Sequence, residues 1–368
     1  MKPRKISRPG KSTESDSCGV NAKPVIARRL SAFLLTFAAV ILLLSGCGGF
    51  YLIRQGIGQL DISINRVSLS DPGLLDSLTP LQREKAAWIP RILQFAEKEL
   101  GLEPGDSYTS YYDTGGKPVS HTVVACHQLA LVPYQWCFPL VGCVPYKGHF
   151  DPADAHQEVH DLKKAGWDAE VFPVSAYSTL GWFSDPVLSS MLELPLPELV
   201  DLLLHELTHR TLYIPSRSQL NEGFATHMGR EGTRLFFTSH PDAVSSELLA
   251  EYHESIQQEA RYSDLISRLK NDLDTLYRSD AAREQKLARK KELFASATIA
   301  ARELFANDSI TLSSNARIVA SETYKAELAR MERLQKQVGG HPRDLLKALR
   351  SASDKGAGEL EKLLEKTP

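Results

Sequence analysis

Cysteine is scarce in this sequence, and neither sign of charge predominates. Five cysteines in 368 residues are too few for a scaffold built on disulfides. The formal net charge is −2, from 43 basic and 45 acidic residues, which excludes a globally basic nucleic-acid-binding protein and a polyanionic disordered chain. Internal repeats and low-complexity linkers are also lacking. With 42% hydrophobic residues, the chain can bury the core of one large domain or two.

The first 46 residues differ from the rest in charge. They carry eight basic and two acidic residues, a net charge of +6, and the remainder therefore carries −8. Lys23, Arg28 and Arg29 precede an apolar run over residues 30–44, and Leu-Ser-Gly-Cys occupies residues 44–47. A basic segment, an apolar segment and small residues before a cleavage point are typical of a signal peptide. We therefore predict that residues 1–46 are a signal peptide.

Leu-Ser-Gly-Cys resembles a bacterial lipobox, in which the signal is cleaved before the cysteine and the cysteine carries the lipid. The resemblance implies that Cys47 attaches the protein to a membrane of the cell envelope, facing the periplasm. Gly48, in place of aspartate, favours the outer membrane if the source is Gram-negative. The alternative is an uncleaved membrane helix, because residues 30–53 are uncharged and long enough to span a bilayer. Both alternatives place residues 54–368 outside the cytoplasm.

Hydrophobic patterning predicts an α+β protein with a mainly helical C-terminal part. Short strands are expected where Tyr, Val, Thr and Phe alternate with Gly and Pro, and helices where apolar residues recur every three or four positions. Strands are predicted within residues 106–150 and 167–183; helices are predicted over 50–105, 152–166, 199–213, 220–236, most of 245–305, 313–337 and 342–365. We expect a core over residues 47–240 and a helical extension over 241–368 packed on it. The extension is expected to be a packed structural arm, with a partner-binding coiled coil as the alternative.

The chemistry-bearing motif is His205-Glu206-Leu207-Thr208-His209, an HExxH sequence. Residues four apart share a helix face, so both imidazoles can bind one metal ion and Glu206 can reach a water on that metal. Zinc lowers the pKa of such a water to near 7. We therefore predict that Glu206 is the general base, which takes the proton and passes it to the leaving amine.

A third ligand is available at Glu222, at the start of the next predicted helix. A turn at Pro215 would bring this helix back toward the HExxH helix, and Glu222 with it. Two histidines and one glutamate leave a coordination position open, as a catalytic zinc site requires. The sequence thus predicts one Zn²⁺ per chain, bound by His205, His209 and Glu222.

Several segments together resemble the bacterial putative aminopeptidase lipoproteins, over roughly residues 50–350. The segments are YQWCFPLVGCVPYKGHFD, AYSTLGWFSDPVLSSML, HELTHRTLY, LNEGFATHMGREG and SNARIVASETY. The resemblance implies a zincin-like fold, with a small sheet over the active-site helix and a helical subdomain after it. It also implies a zinc-dependent metallopeptidase with His205, His209 and Glu222 as ligands and Glu206 as the base, acting as an aminopeptidase on a peptide substrate.

Two other functions stay open. Zinc aminopeptidases bind the free amine of the substrate with an acidic residue in the strand beside the active-site helix, and the corresponding segment, residues 176–181, has no acid. An endopeptidase is therefore one alternative. The other is a non-enzymatic envelope lipoprotein that uses the cleft and the helical arm to bind a partner. Thermolysin-like enzymes orient a ligand histidine with an aspartate at the position of Thr226, so another residue must do so here, and Asp185 is one candidate.

Further site residues follow from the expected strand and from the need for an oxyanion donor. Tyr177, Ser178 and Thr179 lie in a segment that could pair with an extended peptide substrate, although an ordinary sheet strand is equally compatible. Tyr177, Tyr213 and Tyr324 are candidate hydrogen-bond donors to the oxyanion, and Tyr324 is favoured because it lies in a segment of the family pattern.

The remaining cysteines and histidines give weaker expectations. Cys137 and Cys143 are close enough for a small disulfide loop in an oxidising compartment, but Cys126 is also available, and three cysteines leave the pairing open. Five of the other histidines show no comparable ligand spacing, and we expect them at the surface. They are His121, His127, His149, His156 and His160.

Overall fold

The computed structural model describes residues 47–138, 142–174, 179 and 182–365, without the side chains of residues 47–50, 52, 53 and 322–326. The chain divides into two compact units, residues 1–57 and residues 58–368. Of the first unit, the structure describes residues 47–57, which are helical. The predicted signal peptide lies outside the described residues. Within the part that is described, no helix combines the length and the apolar character needed to cross a bilayer.

The fold is mixed α+β, as predicted from the sequence. Helices are α1 (Cys47–Asn65), α2 (Pro72–Ser77), α3 (Pro80–Phe95, continued by a π turn Ala96–Leu100), α4 (Pro152–Lys164), α5 (Ser189–Glu193), α6 (Leu196–Thr211), α7 (Ser218–Ser239), α8 (Ser246–Arg278), α9 (Arg283–Phe305), α10 (Asn315–Val338), α11 (Pro342–Lys355) and α12 (Ala357–Glu365). Strands are β1 (Val67–Ser68), β2 (Ser110–Tyr112), β3 (Ser120–His127), β4 (Trp136–Phe138), β5 (Gly142–Val144), β6 (Tyr146–His149), β7 (Trp167–Val174) and β8 (Val187–Leu188).

The described strands form three small sheets, in the orders β1-β2-β8, β6-β3-β7 and β4-β5. Strand β3 is central to the second sheet. It pairs antiparallel with β6, with His121 opposite His149, and along its whole length with β7, with His127 opposite Trp167. In the first sheet β2 pairs antiparallel with β1 and parallel with β8. The helix α4 packs on the second sheet, around the buried residues of β3 and β7.

The helix predicted over residues 50–105 is present over most of its length but is interrupted. Helix α1 ends at Asn65, and the chain then forms β1 and two separately capped helices. Asp71 accepts the amide N–H of Leu74 at the start of α2, and Thr79 forms a capping box with Gln82 at the start of α3. Each cap satisfies amide groups that the first turn of a helix leaves without partners, so each fixes a new helix start.

Apolar packing explains the C-terminal helices and the position of α6. In the hairpin of α8 and α9, Leu269 and Leu273 pack against Phe294 and its neighbours, at the three- and four-residue spacing that predicted it. Helix α6 lies within the largest core cluster, with Leu199, Val200, Leu203, Leu204 and Leu207 fully buried. The buried helix predicted around the HExxH motif is therefore present.

Three cysteines and one histidine can be compared with what the sequence predicted for them. Cys137 and Cys143 form a disulfide between paired positions of β4 and β5, and Cys126 is free and buried. The expectation that His149 lies at the surface was wrong, because it is buried and its Nε2 lies 2.7 Å from Glu158 Oε2. Satisfied hydrogen bonds make such burial tolerable.

Candidate metal centre

Helix α6 brings the two histidines of the motif together. His205 and His209 are one turn apart, and their Nε2 atoms are 3.1 Å from each other. Both rings lie close to the core, with 18% and 9% of their side chains exposed. A helical spacing of four residues places side chains one above the other on the same face, which is why this pair converges.

The turn between α6 and α7 brings Glu222 back to these rings. Within this turn Asn221 forms two side-chain bonds to Ile214: its Oδ1 accepts the amide N–H at 2.9 Å and its Nδ2 donates to the carbonyl at 2.8 Å. Ser216, between them, has a left-handed backbone with φ of 60°. Helix α7 then packs on α6, and Glu222 Oε2 lies 3.5 Å from His205 Nε2 and 3.4 Å from His209 Nε2.

The three groups are strongly coupled by charge. Burial alone would raise the pKa of Glu222, but the charges and hydrogen bonds of His209 and His205 outweigh it and hold the pKa well below its ordinary value. Burial disfavours the charged form of His205, but the hydrogen bond to Glu222 and the charges of Glu206, Glu222 and Asp201 raise its pKa. The cluster thus favours an ionised carboxylate facing two imidazoles, which is a set of ligands suited to a divalent cation.

Glu206 lies in the same helix, and it is buried beside this cluster. Burial raises its pKa, and the negative charges of Glu222 and Asp185 act in the same direction, against the lowering effect of His205 and His209. A raised pKa makes a carboxylate a better proton acceptor, as a general base requires.

Asp201 is a residue near the site that the sequence analysis missed. It lies one turn before His205, and its negative charge contributes to the raised pKa of that histidine. The hydroxyl of Tyr252, on α8, donates to Asp201 Oδ2 at 2.8 Å. An added Cβ at Gly229 would lie 2.1 Å from Asp201 Oδ1, so this position of α7 must be a glycine for the carboxylate to fit. The signal in the sequence was the four-residue spacing from Asp201 to His205.

Arg210, which follows His209 directly, connects α6 to the turn formed by Thr179 and residues 182–185. Its guanidinium donates to the carbonyl of Phe183 at 3.2 Å, to Ser107 Oγ at 3.3 Å and to the carbonyl of Glu103 at 2.9 Å. The Asp185 carboxylate accepts the amide N–H of Thr179 at 3.2 Å. Asp185 thus stabilises the turn, and its charge acts on Glu206.

The other predicted site residues fall in different places. Thr179 lies in the turn, where its carbonyl accepts the N–H of Trp182 and its hydroxyl bonds to Phe183. Burial and the charge of Glu222 raise the pKa of Tyr213, which places its hydroxyl within electrostatic reach of the cluster. Tyr177, Ser178 and the side chains of Cys47 and Tyr324 lie outside the described residues, and their roles stay predictions.

A cavity of about 720 Å³ lies against α7. Thr226 and Arg230, one and two turns after Glu222, form one wall. The other walls come from β3, β7, α8 and α10, and they include Val124, Phe172, Tyr262, Val319 and Leu328. The size and largely apolar lining are typical of a site for an organic ligand.

Comparison with known proteins gives one match. No curated protein and no solved structure matches the chain. The model of the family described as "Putative aminopeptidase" matches residues 50–364, which include α6, the turn after it, α7 and the whole cavity. The chain therefore belongs to the putative aminopeptidase family.

Proposed function

We propose that this protein is a zinc-dependent metallopeptidase with one zinc ion per chain, bound by His205, His209 and Glu222. The observation that carries the proposal is the triangle of their ligand atoms, with sides of 3.1, 3.4 and 3.5 Å. Atoms at 2.0–2.1 Å from a tetrahedral zinc ion lie about 3.3 Å from one another. The residues therefore fit zinc in both the kind and the spacing of the ligands.

In this proposal Glu206 is the proton carrier. A zinc ion in this site would supply Lewis acidity, which polarises a carbonyl and lowers the pKa of water. Glu206 accepts a proton from the attacking water and gives it to the departing amine, and its raised pKa suits both steps. A tyrosine keeps its proton at neutral pH, and the raised pKa of Tyr213 acts in the same direction, so its hydroxyl can donate a hydrogen bond to the developing oxyanion. Tyr324 is the other candidate donor.

For the substrate we propose a peptide with a free N-terminus, in keeping with the family description. Residues 176–181 contain no acid, but Asp264 and Glu332 line the cavity beside α7. Either could attract an α-ammonium group. The zincin-like arrangement, with a sheet over the active-site helix, belongs to the same proposal, as do the core over residues 47–240 and the packed extension over 241–368.

We further propose that the protein is lipid-anchored through Cys47 in the cell envelope, faces the periplasm and lies at the outer membrane. The apolar run over residues 30–44 and the Leu-Ser-Gly-Cys sequence support the attachment. The Cys137–Cys143 disulfide is in keeping with an oxidising compartment.

The test combines metal analysis with peptide cleavage. The purified wild type should contain one zinc per chain and cleave peptides from a broad library. Glu206→Gln should keep the zinc and lose about 10²- to 10⁴-fold in rate, the usual contribution of a general base. Zinc binding without any cleavage would favour the non-enzymatic lipoprotein. Acetylation of the N-terminus of a cleaved peptide should abolish its cleavage, and continued cleavage would indicate an endopeptidase.

A further inference from the structure

A group of large apolar side chains is exposed on one side of the second unit. Leu60 and Ile64, one turn apart on α1, are 57% and 69% exposed, and Val67 in β1 is 44% exposed. Trp182 and Phe183 are 63% and 52% exposed. We refer to these five residues as the apolar face.

One hydrogen bond joins the residue before Val67 to the residue after Phe183. The guanidinium of Arg66 donates to the carbonyl of Ser184 at 2.5 Å. This bond lies directly beside Val67 on one side and Phe183 on the other. The bond therefore brings β1 close to the aromatic pair, although more than a hundred residues separate them in the chain.

The turn that carries the two aromatic side chains is fixed from within. The N–H of Trp182 donates to the carbonyl of Thr179 at 3.0 Å, and the N–H of Phe183 donates to Thr179 Oγ1 at 3.1 Å. Arg210 holds the carbonyl of Phe183 from the side of α6. Both N–H groups and the carbonyl of Phe183 thus have hydrogen-bond partners, while the side chains of Trp182 and Phe183 are exposed.

We propose that the apolar face enters the headgroup region of the lipid bilayer to which the chain is attached. Soluble proteins rarely expose contiguous apolar patches, and larger ones mark partner or membrane sites. Leu60 follows Cys47 by only thirteen residues, so the face lies close in the chain to the apolar run and the predicted lipid.

The composition of the face also favours a bilayer as the partner. Tryptophan is enriched at membrane–water interfaces, and Arg66 and Arg210 lie at the base of the aromatic turn. Their described partners are the neutral oxygens of Ser184, Phe183, Ser107 and Glu103. Cationic side chains at a membrane surface attract anionic headgroups.

The same contact has a consequence for the proposed metal centre. Since Arg210 follows His209, the contact would place the metal centre close to the membrane surface, and its substrates would be membrane-proximal peptides.

The test uses the full-length chain reconstituted in vesicles of phosphatidylethanolamine and phosphatidylglycerol, with part of the lipid brominated in its acyl chains. Flotation of the vesicles first measures attachment. Bromine should then quench part of the tryptophan fluorescence, and Trp182→Phe should remove that quenched part. Trp167→Phe is the matched control, because Trp167 is the first residue of β7 and its ring packs on Tyr134; it should leave the quenched part unchanged. Replacing both Leu60 and Ile64 by serine should reduce quenching of Trp182 without loss of fold.

The possible outcomes separate this proposal from those on which it rests. A chain that floats with the vesicles while Trp182 stays unquenched overturns the bilayer contact and leaves the anchor intact. A chain that does not float overturns both. Cross-linking of two copies through this surface, with no quenching, would identify a second chain as the occupant. Zinc content and peptide cleavage, measured in detergent, test the metallopeptidase independently of every one of these results.

Discussion

Asn221→Ala should damage both the stability of the protein and the proposed zinc site. Asn221 is 3% exposed, and its side chain satisfies both the N–H and the carbonyl of Ile214. Truncation leaves two buried backbone groups without partners. Each such loss costs about 1–3 kcal/mol, and water entering the space left by the amide recovers part of it. We therefore expect the free energy of unfolding to fall by about 2–4 kcal/mol.

The same bonds set the position of Glu222, which is the next residue in the chain. Without them the turn at residues 212–217 can relax, and the carboxylate moves relative to the two imidazoles. Loss of a residue that orients a ligand lowers metal affinity about 10- to 100-fold. Urea unfolding of the metal-free protein measures the first effect, and competition with a chromophoric chelator measures the second.

Asn315→Ala is the matched control for this prediction. Asn315 is also fully buried, and it donates to the carbonyl of His127 at 2.8 Å and accepts from the Tyr277 hydroxyl at 2.8 Å. Its loss should destabilise the fold to a similar extent, with zinc affinity unchanged. If Asn221→Ala loses stability but keeps the zinc affinity of the wild type, then the turn does not position Glu222 and the reasoning is refuted.

Three further predictions concern other parts of the molecule. Gly229→Ala places a methyl group 2.1 Å from Asp201 Oδ1, so urea unfolding should show a loss of about 1–3 kcal/mol; unchanged stability would mean that Asp201 can move away freely. Tyr213→Phe should lower kcat by about 10²-fold or more with the zinc content unchanged if its hydroxyl stabilises the oxyanion, and an unaltered kcat would leave that role to Tyr324. Burial opposes ionisation of Glu158, but hydrogen bonds from His149 and Lys147 outweigh it and lower the pKa to about 2. Because the carboxyl of the unfolded chain titrates near pH 4.3, the stability that Glu158 adds is full above about pH 5 and is lost as the pH falls toward 2. Glu158→Gln should remove about 1–3 kcal/mol of this acid dependence in unfolding measurements, and an identical pH profile would contradict it.

The convergence of His205, His209 and Glu222 was predictable from the sequence because it follows from local geometry. A four-residue spacing on a helix fixes the relation of the two histidines. A short turn between two apolar helices then leaves an antiparallel return as the compact solution, and Glu222 stands at the start of the returning helix. The α+β class and the hairpin of α8 and α9 were predictable for a similar reason, since periodicity alone carries them.

The supporting residues were not predictable because their contacts cross large distances in the sequence. Tyr252 reaches Asp201 from α8, and Arg210 reaches a turn that precedes it by almost thirty residues. The sequence pattern identifies which face of a helix is buried, but it does not identify the element that packs against that face. The break of the first predicted helix into α1, β1, α2 and α3 was missed because its Asp71 and Thr79 caps compete with a helical pattern that continues across them.

The accuracy of the proposed metal centre depends on restraints that act on the turn between α6 and α7 from both sides. From within, Asn221 fixes Ile214. From outside, the N–H of Cys143, in the disulfide-closed hairpin, donates to Ser216 Oγ at 3.1 Å, and this bond holds a serine whose left-handed backbone costs energy. At the start of α7, an added Cβ at Gly223 would lie 2.3 Å from Glu327 Cβ, so α10 can approach only because this residue is a glycine. A ligand must be held to within about 0.5 Å to keep a metal geometry. Helix spacing brings Glu222 to the correct side of the site, and these contacts from β5 and α10, together with the Asn221 bonds, supply the remaining precision.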